Sequence, residues 1–441
     1  MRIFFASLVL TAWIILPSGP VQPQNPKEGA TVVLDSLVQE ARRNNPEIQA
    51  AGHQSHAAWS RVRRTVTWEP PQVGVEFYQT PVASFPNPFK NQMEYDYFIE
   101  QMIPFPGKLS AMGKAARNGA RMAEEDAKAV ERRVIFDLKS AYAELYWIQR
   151  KIELNAENRD LLKRLVETAS RQYEVGMGSQ TDMLRAQTES SKLANEGLAL
   201  EREKRSMEAM LNTLLNRPIT RGLGRIDTLE TRFPGWKREQ LDSLAMACRP
   251  ELQAMRFEVE MKKAEVRAAK WEYAPDLTTR LMYKDMVMTP KDYWSFMVGA
   301  SLPLTSWAYP KATARVEEAK AFRKKTEASY TQMKNMVLLD VENAWLSLKT
   351  NHDLIELNRK NVLPQAELTL ASAVAGYKTG KVMFVMLIDV YRMALMVRLD
   401  YYMAVMNYAA SQAKLEQAVG LSTAEIAERI LSFDSKMERL P

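Results

Sequence analysis

The chain carries two copies of one pattern, and that duplication restricts its possible folds more than any other feature. Asn45-Pro46-Glu47-Ile48-Gln49-Ala50 returns 204 positions later as Arg249-Pro250-Glu251-Leu252-Gln253-Ala254, and Pro71 returns as Pro275 at the same offset. Ile103-Pro104-Phe105 matches Leu302-Pro303-Leu304, and Ile152-Glu153-Leu154-Asn155 recurs unchanged as Ile355-Glu356-Leu357-Asn358. Tyr173-x-x-Gly176 returns as Tyr377-x-x-Gly380. A near-constant offset over separated anchors makes this a two-fold tandem repeat, so whatever one half builds the other should build again.

Each copy orders its elements alike. A short helix of roughly 23 residues opens at a Pro in the first helical position, capped by Asn45 in the first copy. Two strand-like segments follow, then a very long helix, a Gly-containing turn and a shorter final helix. Val134, Leu138, Ala141, Leu145, Ile148 and Ile152 fall at alternating spacings of four and three. Val337, Val341, Ala344, Leu348, Asn351 and Ile355 repeat that register with Asn351 as the polar intruder. Such a seam must pack against a neighbouring helix. A helix over 107–174 would run roughly 100 Å at 1.5 Å per residue, too long for the core of a compact domain. The short and final helices, stacked end to end, nearly match it in length and could lie beside it. Pro364 should kink the second long helix; the first copy has no counterpart.

The strand segments alternate strictly. Val73, Val75 and Phe77 alternate with Gly74, Glu76 and Tyr78, and Met93, Tyr95, Tyr97 and Ile99 with Glu94, Asp96, Phe98 and Glu100. Leu277, Thr279, Leu281 and Tyr283 alternate with Thr278, Arg280, Met282 and Lys284, and Trp294, Phe296, Val298, Ala300 and Leu302 with Ser295, Met297, Gly299 and Ser301. One apolar and one mostly polar face suits a membrane-barrel strand, and equally a half-buried sheet in a soluble domain. Tyr95, Tyr97, Tyr293 and Trp294 suit interfacial aromatic belts. Four strands cannot close a barrel alone, so a barrel needs several chains.

Arg2 followed by the apolar run Ile3 to Leu16 reads as an export signal over 1–22, with cleavage between Gly19 and Gln24. No cysteine follows it, so lipid attachment by that route is not expected. Beyond it no window of eighteen uncharged apolar residues occurs; Val382 to Val397 comes nearest and is broken by Asp389 and Arg392. Any membrane crossing would have to use strands closed into a barrel. Cys248 is the single cysteine, and no internal disulfide can form. The net charge of +7 is spread over interleaved acids and bases, with no basic face for nucleic acid. No Gly-rich phosphate loop, His or Cys cluster, or Gly-x-Ser-x-Gly elbow is present, so no enzyme activity, cofactor or resident metal site is expected.

Asn45-Pro46-Glu47-Ile48, then Gln101-Met102-Ile103-Pro104-Phe105-Pro106-Gly107-Lys108, then Tyr173-Glu174-Val175-Gly176 through Asp182-Met183-Leu184-Arg185-Ala186-Gln187, stand in the order of three motifs of one family. The chain resembles the TolC-like outer-membrane factor family over nearly its whole length after the leader. The resemblance implies a mainly α fold: a long antiparallel coiled-coil α-barrel with a membrane β-barrel of twelve strands closed by a homotrimer. It divides the chain into a first repeat over 31–218 (strands about 72–79 and 92–103, helices about 107–174 and 179–216) and a second over 243–421 (strands about 276–285 and 292–303, helices about 308–376 and 381–420). Residues 219–242 and 422–441 would be equatorial segments. The implied partners are outer-membrane lipid, a periplasmic adaptor (membrane fusion protein) and an inner-membrane transporter of the RND type, with no nucleic acid.

Carried over position by position, the resemblance assigns a periplasmic gate to Asp182, Tyr377 and Asp389, although helix capping or solvation explains the two acids equally well. Val382 and Met386 stand where prototype relatives carry an Arg and an acid. It assigns adaptor-docking turns to Gly176, Gly178, Gly380 and Lys381. Glu76, Glu94, Asp96 and Glu100 would line the barrel lumen as acidic rings favouring cations, partly neutralised by Arg280 and Lys284.

The Pro-Phe-Pro-Gly-Lys stretch is similar to that of the family's heavy-metal branch, so heavy-metal cations are one expected cargo; drugs or secreted proteins are the alternative. Met383, Met386, Met393, Met396, Met403 and Met406 fall on spacings of three and seven. Thioethers bind copper(I), but the stripe drifts around its helix and methionine is an adaptable packing residue, so core packing is the expectation. His53, His56 and His352 are too few for a rich metal site. A periplasmic coiled-coil tether without a barrel would explain the helices and the leader, but not paired amphipathic strands at equivalent places in both repeats.

Overall fold

Heptad seams of this length demand partners of matching length, and the structure supplies them by stacking. It is a computed structural model that describes residues 33–78, 80–87, 89, 93–176, 178–226, 228–287, 290–301 and 305–437. The expected leader and the Leu302-Pro303-Leu304 anchor lie outside the described residues. The first copy comprises α1 (Leu34–Asn44), α2 (Pro46–Val66), β1 (Gln72–Tyr78), β2 (Glu94–Ile103), α3 (Pro106–Glu174) and α4 (Gln180–Leu214). The second comprises α5 (Arg238–Cys248), α6 (Pro250–Lys270), β3 (Leu277–Met286), β4 (Tyr293–Ala300), α7 (Ala308–Leu357), α8 (Leu363–Lys378) and α9 (Phe384–Val419), and α10 (Thr423–Met437) follows.

At 69 residues, α3 runs about 103 Å. It packs against α2, α4, α6 and α9. Its seam residues Val134, Leu138, Ala141, Leu145 and Ile148 are buried, as are Val337, Val341, Ala344, Leu348 and Ile355 of α7. Asn351, the polar intruder, donates to Ser411 Oγ on α9 at 3.2 Å, so its amide is satisfied inside the seam. α2 and α4 stack end to end along α3 through one side chain. Asn45 Oδ1 caps α2 by accepting from the Glu47 and Ile48 N–H groups, while its Nδ2 donates to Leu214 O at the end of α4 at 2.8 Å. The second copy makes the same joint by close approach. Gly420 ends α9 at φ +80°, and a Cβ there would lie 2.8 Å from Arg249 Cα and Pro250 Cδ at the start of α6.

Three findings depart from the sequence reading. First, α1 and α5, eleven residues each, precede the Pro-led helices, and the reading begins its helices only at Asn45 and Pro250. The signal was there: Leu34, Leu37, Val38 and Ala41 mark one helical face. Second, the long helix read over 308–376 is interrupted beside Pro364, where a kink was expected. A π-helical turn over Asn358–Val362 separates α7 from α8 directly before Pro364. Pro364 offers no N–H to the ladder and its ring crowds the preceding turn, and a wider turn absorbs both. Third, the methionine stripe is not core. Met383, Met386, Met393, Met396 and Met403 are between 41% and 76% exposed in the chain. The packed face of lower α9 is filled instead by Phe384, Leu387, Ile388, Tyr391 and Ala394.

The four strands form one antiparallel sheet in the order β1-β2-β3-β4. Its register settles the two faces. Glu76 lies opposite Asp96 and Asp96 opposite Lys284; Gln72 lies opposite Glu100 and Glu100 opposite Arg280. Directly paired residues point the same way, so Glu76, Glu94, Asp96, Glu100, Arg280 and Lys284 share one face. Val75, Tyr97, Tyr283 and Trp294 align on the other. Tyr293 pairs with Lys284 and so belongs to the polar face, not to an aromatic belt beside Tyr95, Tyr97 and Trp294. Sheet and helices are tied at Asp276, whose carboxylate accepts from the Phe105 N–H at 3.1 Å and from Lys108 Nζ at 2.9 Å.

Candidate functional site: an open sheet and two helical tips

The sheet leaves both surfaces and both edges to be explained. Val73, Val75, Tyr97, Ile99, Leu281, Tyr283, Trp294, Phe296 and Val298 on its apolar face are all exposed. Among the described residues no strand pairs with the outer edge of β1 or of β4. An open apolar sheet with two free edges is an aggregation hazard in water. It becomes stable when the edges join and the apolar face meets lipid.

On the polar face the expected acidic row is only partly free. Lys284 Nζ reaches Glu94 at 2.7 Å and Asp96 at 3.1 Å, and Asp96 is 2% exposed. Arg280 holds Glu100 at 2.5 Å and lies over the Phe98 ring at 4.6 Å. Glu76 is exposed and has no ion-pair partner among the described residues. Each chain thus sets four acids against two bases on this face.

At the other end of the helices, both tips turn through a glycine in the left-handed region, Gly176 at φ +74° and Gly380 at φ +73°. Gly176 N–H donates to Tyr173 O at 3.0 Å and Gly178 N–H to Gln172 O at 2.9 Å. In the second copy Gly380 N–H donates to Tyr377 O at 3.1 Å and Val382 N–H to Gly376 O at 3.2 Å. Where the chain crosses itself one partner must lack a side chain, and the copies solve this reciprocally. The first pairs Gln172 with Gly178; the second pairs Gly376 with Val382, whose Cγ2 would be 2.5 Å from a Cβ on Gly376. Val382 is therefore a steric consequence of Gly376, a relation invisible while the two positions were read separately. Gly176, Gly380 and Lys381 are exposed.

Of the gate candidates, Tyr377 is buried, Asp182 half-buried and Asp389 exposed. Tyr377 is buried against Phe384 (ring centroids 5.6 Å apart) beside Leu162, Leu165 and Leu387. Burial, reinforced by the Asp182 carboxylate, pushes its phenol above the ordinary range, so it stays a neutral donor. Asp389 is exposed and lies 3.9 Å from Arg392 on its own helix. Arg392 is engaged more tightly by Glu189 of α4, with Lys192 on the same carboxylate at 2.9 Å. Burial alone would raise the Glu189 carboxyl, but Lys192 and Arg392 override it and hold it below the usual glutamate range. Sequence reasoning missed Glu189. Its only signal is the seven-residue step from Asp182, which keeps both on one face of α4.

Among the described residues no helix is long and apolar enough to cross a membrane, and no group of three His, Cys, Asp or Glu is placed to hold a metal.

Comparison with known proteins matches this geometry. The chain is 21% identical over 304 residues to the cobalt-zinc-cadmium resistance protein CzcC of Cupriavidus metallidurans, covering 68% of this chain and 70% of that one. It is 23% identical over 344 residues to the putative multidrug resistance outer membrane protein MdtQ of Shigella flexneri, covering 72% and 71%. The crystal structure of CusC, described with its transmembrane channel formation, superposes with a TM-score of 0.76 at 16% identity over 92% of this chain and 98% of that one. A family profile described as outer membrane efflux protein matches residues 37–217 and again 241–421, once per repeat. The protein belongs to the outer membrane efflux protein family.

Proposed function

We propose that three copies of this chain close a twelve-stranded barrel in the outer membrane and form a passive duct whose helices cross the periplasm. The observation that carries this is the sheet: four strands, two free edges and one exposed apolar face. Pairing β4 of one chain with β1 of the next satisfies both edges, and closure turns the apolar face to lipid and the polar face to the lumen. The reading has no place for catalysis; the duct would take its energy from an inner-membrane transporter of the RND type, reached through a periplasmic adaptor docking at the exposed turns around Gly176, Gly178, Gly380 and Lys381. Heavy-metal cations are the cargo we favour, in line with the CzcC likeness; the likeness to MdtQ keeps drug export as the second reading.

In this reading the lower tips form a gate around Asp182, Tyr377 and Asp389, with the Glu189–Arg392 ion pair as its latch. Arg392→Ala should raise single-channel conductance of the purified protein in planar bilayers about 2- to 5-fold, the effect of losing a partly exposed ion pair worth up to about 1 kcal/mol. Asp389→Ala, which removes only a 3.9 Å contact, should change it less. Unchanged conductance in Arg392→Ala would remove the latch.

The pH dependence follows from the direction of the Glu189 shift. A carboxylate held below its ordinary value keeps its contribution above that value and loses it as pH falls through the lowered one. Conductance should therefore be flat from pH 7 to about 5 and rise only below the ordinary glutamate value of about 4.3. A rise centred near pH 6 would assign the gate to another group.

The excess of four acids over two bases on each polar face predicts cation preference. Glu76→Gln should move the reversal potential in a salt gradient toward zero more than Glu100→Gln does, because Glu100 is already paired. Anion preference in the unaltered channel would invert the face assignment.

A further inference from the structure

Six of the chain's 25 methionines form three Met-x-x-Met pairs on α9 and its N-terminal cap: Met383/Met386, Met393/Met396 and Met403/Met406, recurring every ten residues. Five of the six side chains are exposed, so they do not fill this chain's core. The internal duplication supplies the control. At the offset of 204 that relates Gly176 to Gly380, α4 and its N-terminal cap carry Ser179/Asp182, Glu189/Lys192 and Ala199/Arg202 at the same six positions. The helix does not need apolar side chains there, and the thioethers belong to the second copy alone.

Thioethers are soft, uncharged donors suited to monovalent copper or silver. Residues three apart on a helix have Cβ atoms about 5–6 Å from each other, and the flexible methionine side chain lets both sulfurs reach one ion. Two neutral ligands hold such an ion loosely, as conduction requires: binding must be strong enough to enter and weak enough to leave. The ten-residue step places successive pairs about 15 Å apart along the axis and turns each about 80° around it from the last, so the pairs wind around α9. The cations between the pairs are neutralised from other helices, Arg392 by Glu189 and Arg398 by Glu157, while Asp389 and Asp400 remain exposed.

We propose that the three methionine pairs are successive low-affinity stations for a soft monovalent cation, copper(I) or silver(I), along α9. This deepens the metal-cargo reading and rests on it. The test titrates the detergent-purified full chain with silver(I), in chloride-free buffer, by calorimetry. Near-isosteric Met→Leu changes are made one pair at a time and then at all six positions. Every variant keeps Cys248 and the other methionines, so only differences in silver bound are read. The expected result is one silver(I) fewer per chain for each pair replaced and three fewer for all six, with zinc(II) heats the same in every variant. Unchanged silver stoichiometry in the sixfold variant overturns the stations, and if that variant also loses its trimer, the stripe is a protein interface instead. Tolerance assays separate this from the cargo reading. If deleting the protein lowers metal tolerance but the sixfold variant matches wild type, the stations fail and the cargo reading stands. If deletion changes neither silver nor zinc tolerance, the cargo reading fails and the stations fail with it.

Discussion

Leu281→Arg should abolish assembly into the outer membrane, while Ser295→Arg, across the β3–β4 pair but on the opposite face, should assemble normally. Leu281 sits mid-strand on the exposed apolar face, paired with Phe296; Ser295 sits on the polar face opposite Met282. An arginine facing lipid near the bilayer midplane costs about 2–4 kcal/mol, and three-fold closure would impose it once per subunit. An arginine facing a watery lumen costs little. The measurement is the heat-modifiable oligomer in outer-membrane fractions on a gel. Equal assembly of both variants would mean that the apolar face never meets lipid, and the barrel reading would go with it.

Lys284→Met should be the most damaging single change on the polar face. Lys284 bridges Glu94 and Asp96, and both carboxylates are buried. Removing the shared cation leaves two acids facing each other with no counter-ion. The purified oligomer should dissociate at a markedly lower temperature in Lys284→Met. Adding Asp96→Asn and Glu94→Gln should restore most of the loss, because an uncharged pair needs no counter-ion. No rescue would mean that Lys284 acts through packing, for instance against the Tyr78 ring at 5.6 Å.

Much of this architecture was legible because it is written in periods. Seam spacing, alternation and the repeat offset are each one-dimensional, and they gave α3, the strand faces and the stacking of α2 with α4. What stayed hidden depends on pairs that sequence distance does not rank. Nothing along the chain says that Lys284 neutralises two acids nearly 190 residues away, or that Arg392 reaches Glu189 before Asp389. Tyr293 was grouped with Trp294 although consecutive residues of a strand point to opposite faces, and its pairing with Lys284 puts it on the polar one. The methionine stripe was misjudged for another reason. Hydrophobic spacing marks a face without saying whether that face looks inward, and on α9 the inward face was already occupied by Phe384, Leu387 and Tyr391.

The two hairpin tips share a backbone and differ in what covers it. Gly178 and Ser179 stand in the first where Val382 and Met383 stand in the second, because the crossing glycine moved from one side of the turn to the other. Three such subunits arranged in a ring would present six loops of one shape in alternating chemistry. A ligand that feels only contour would meet a six-fold rim, and one that reads side chains a three-fold rim. The same aperture could then be grasped with either symmetry, according to what the visiting surface recognises.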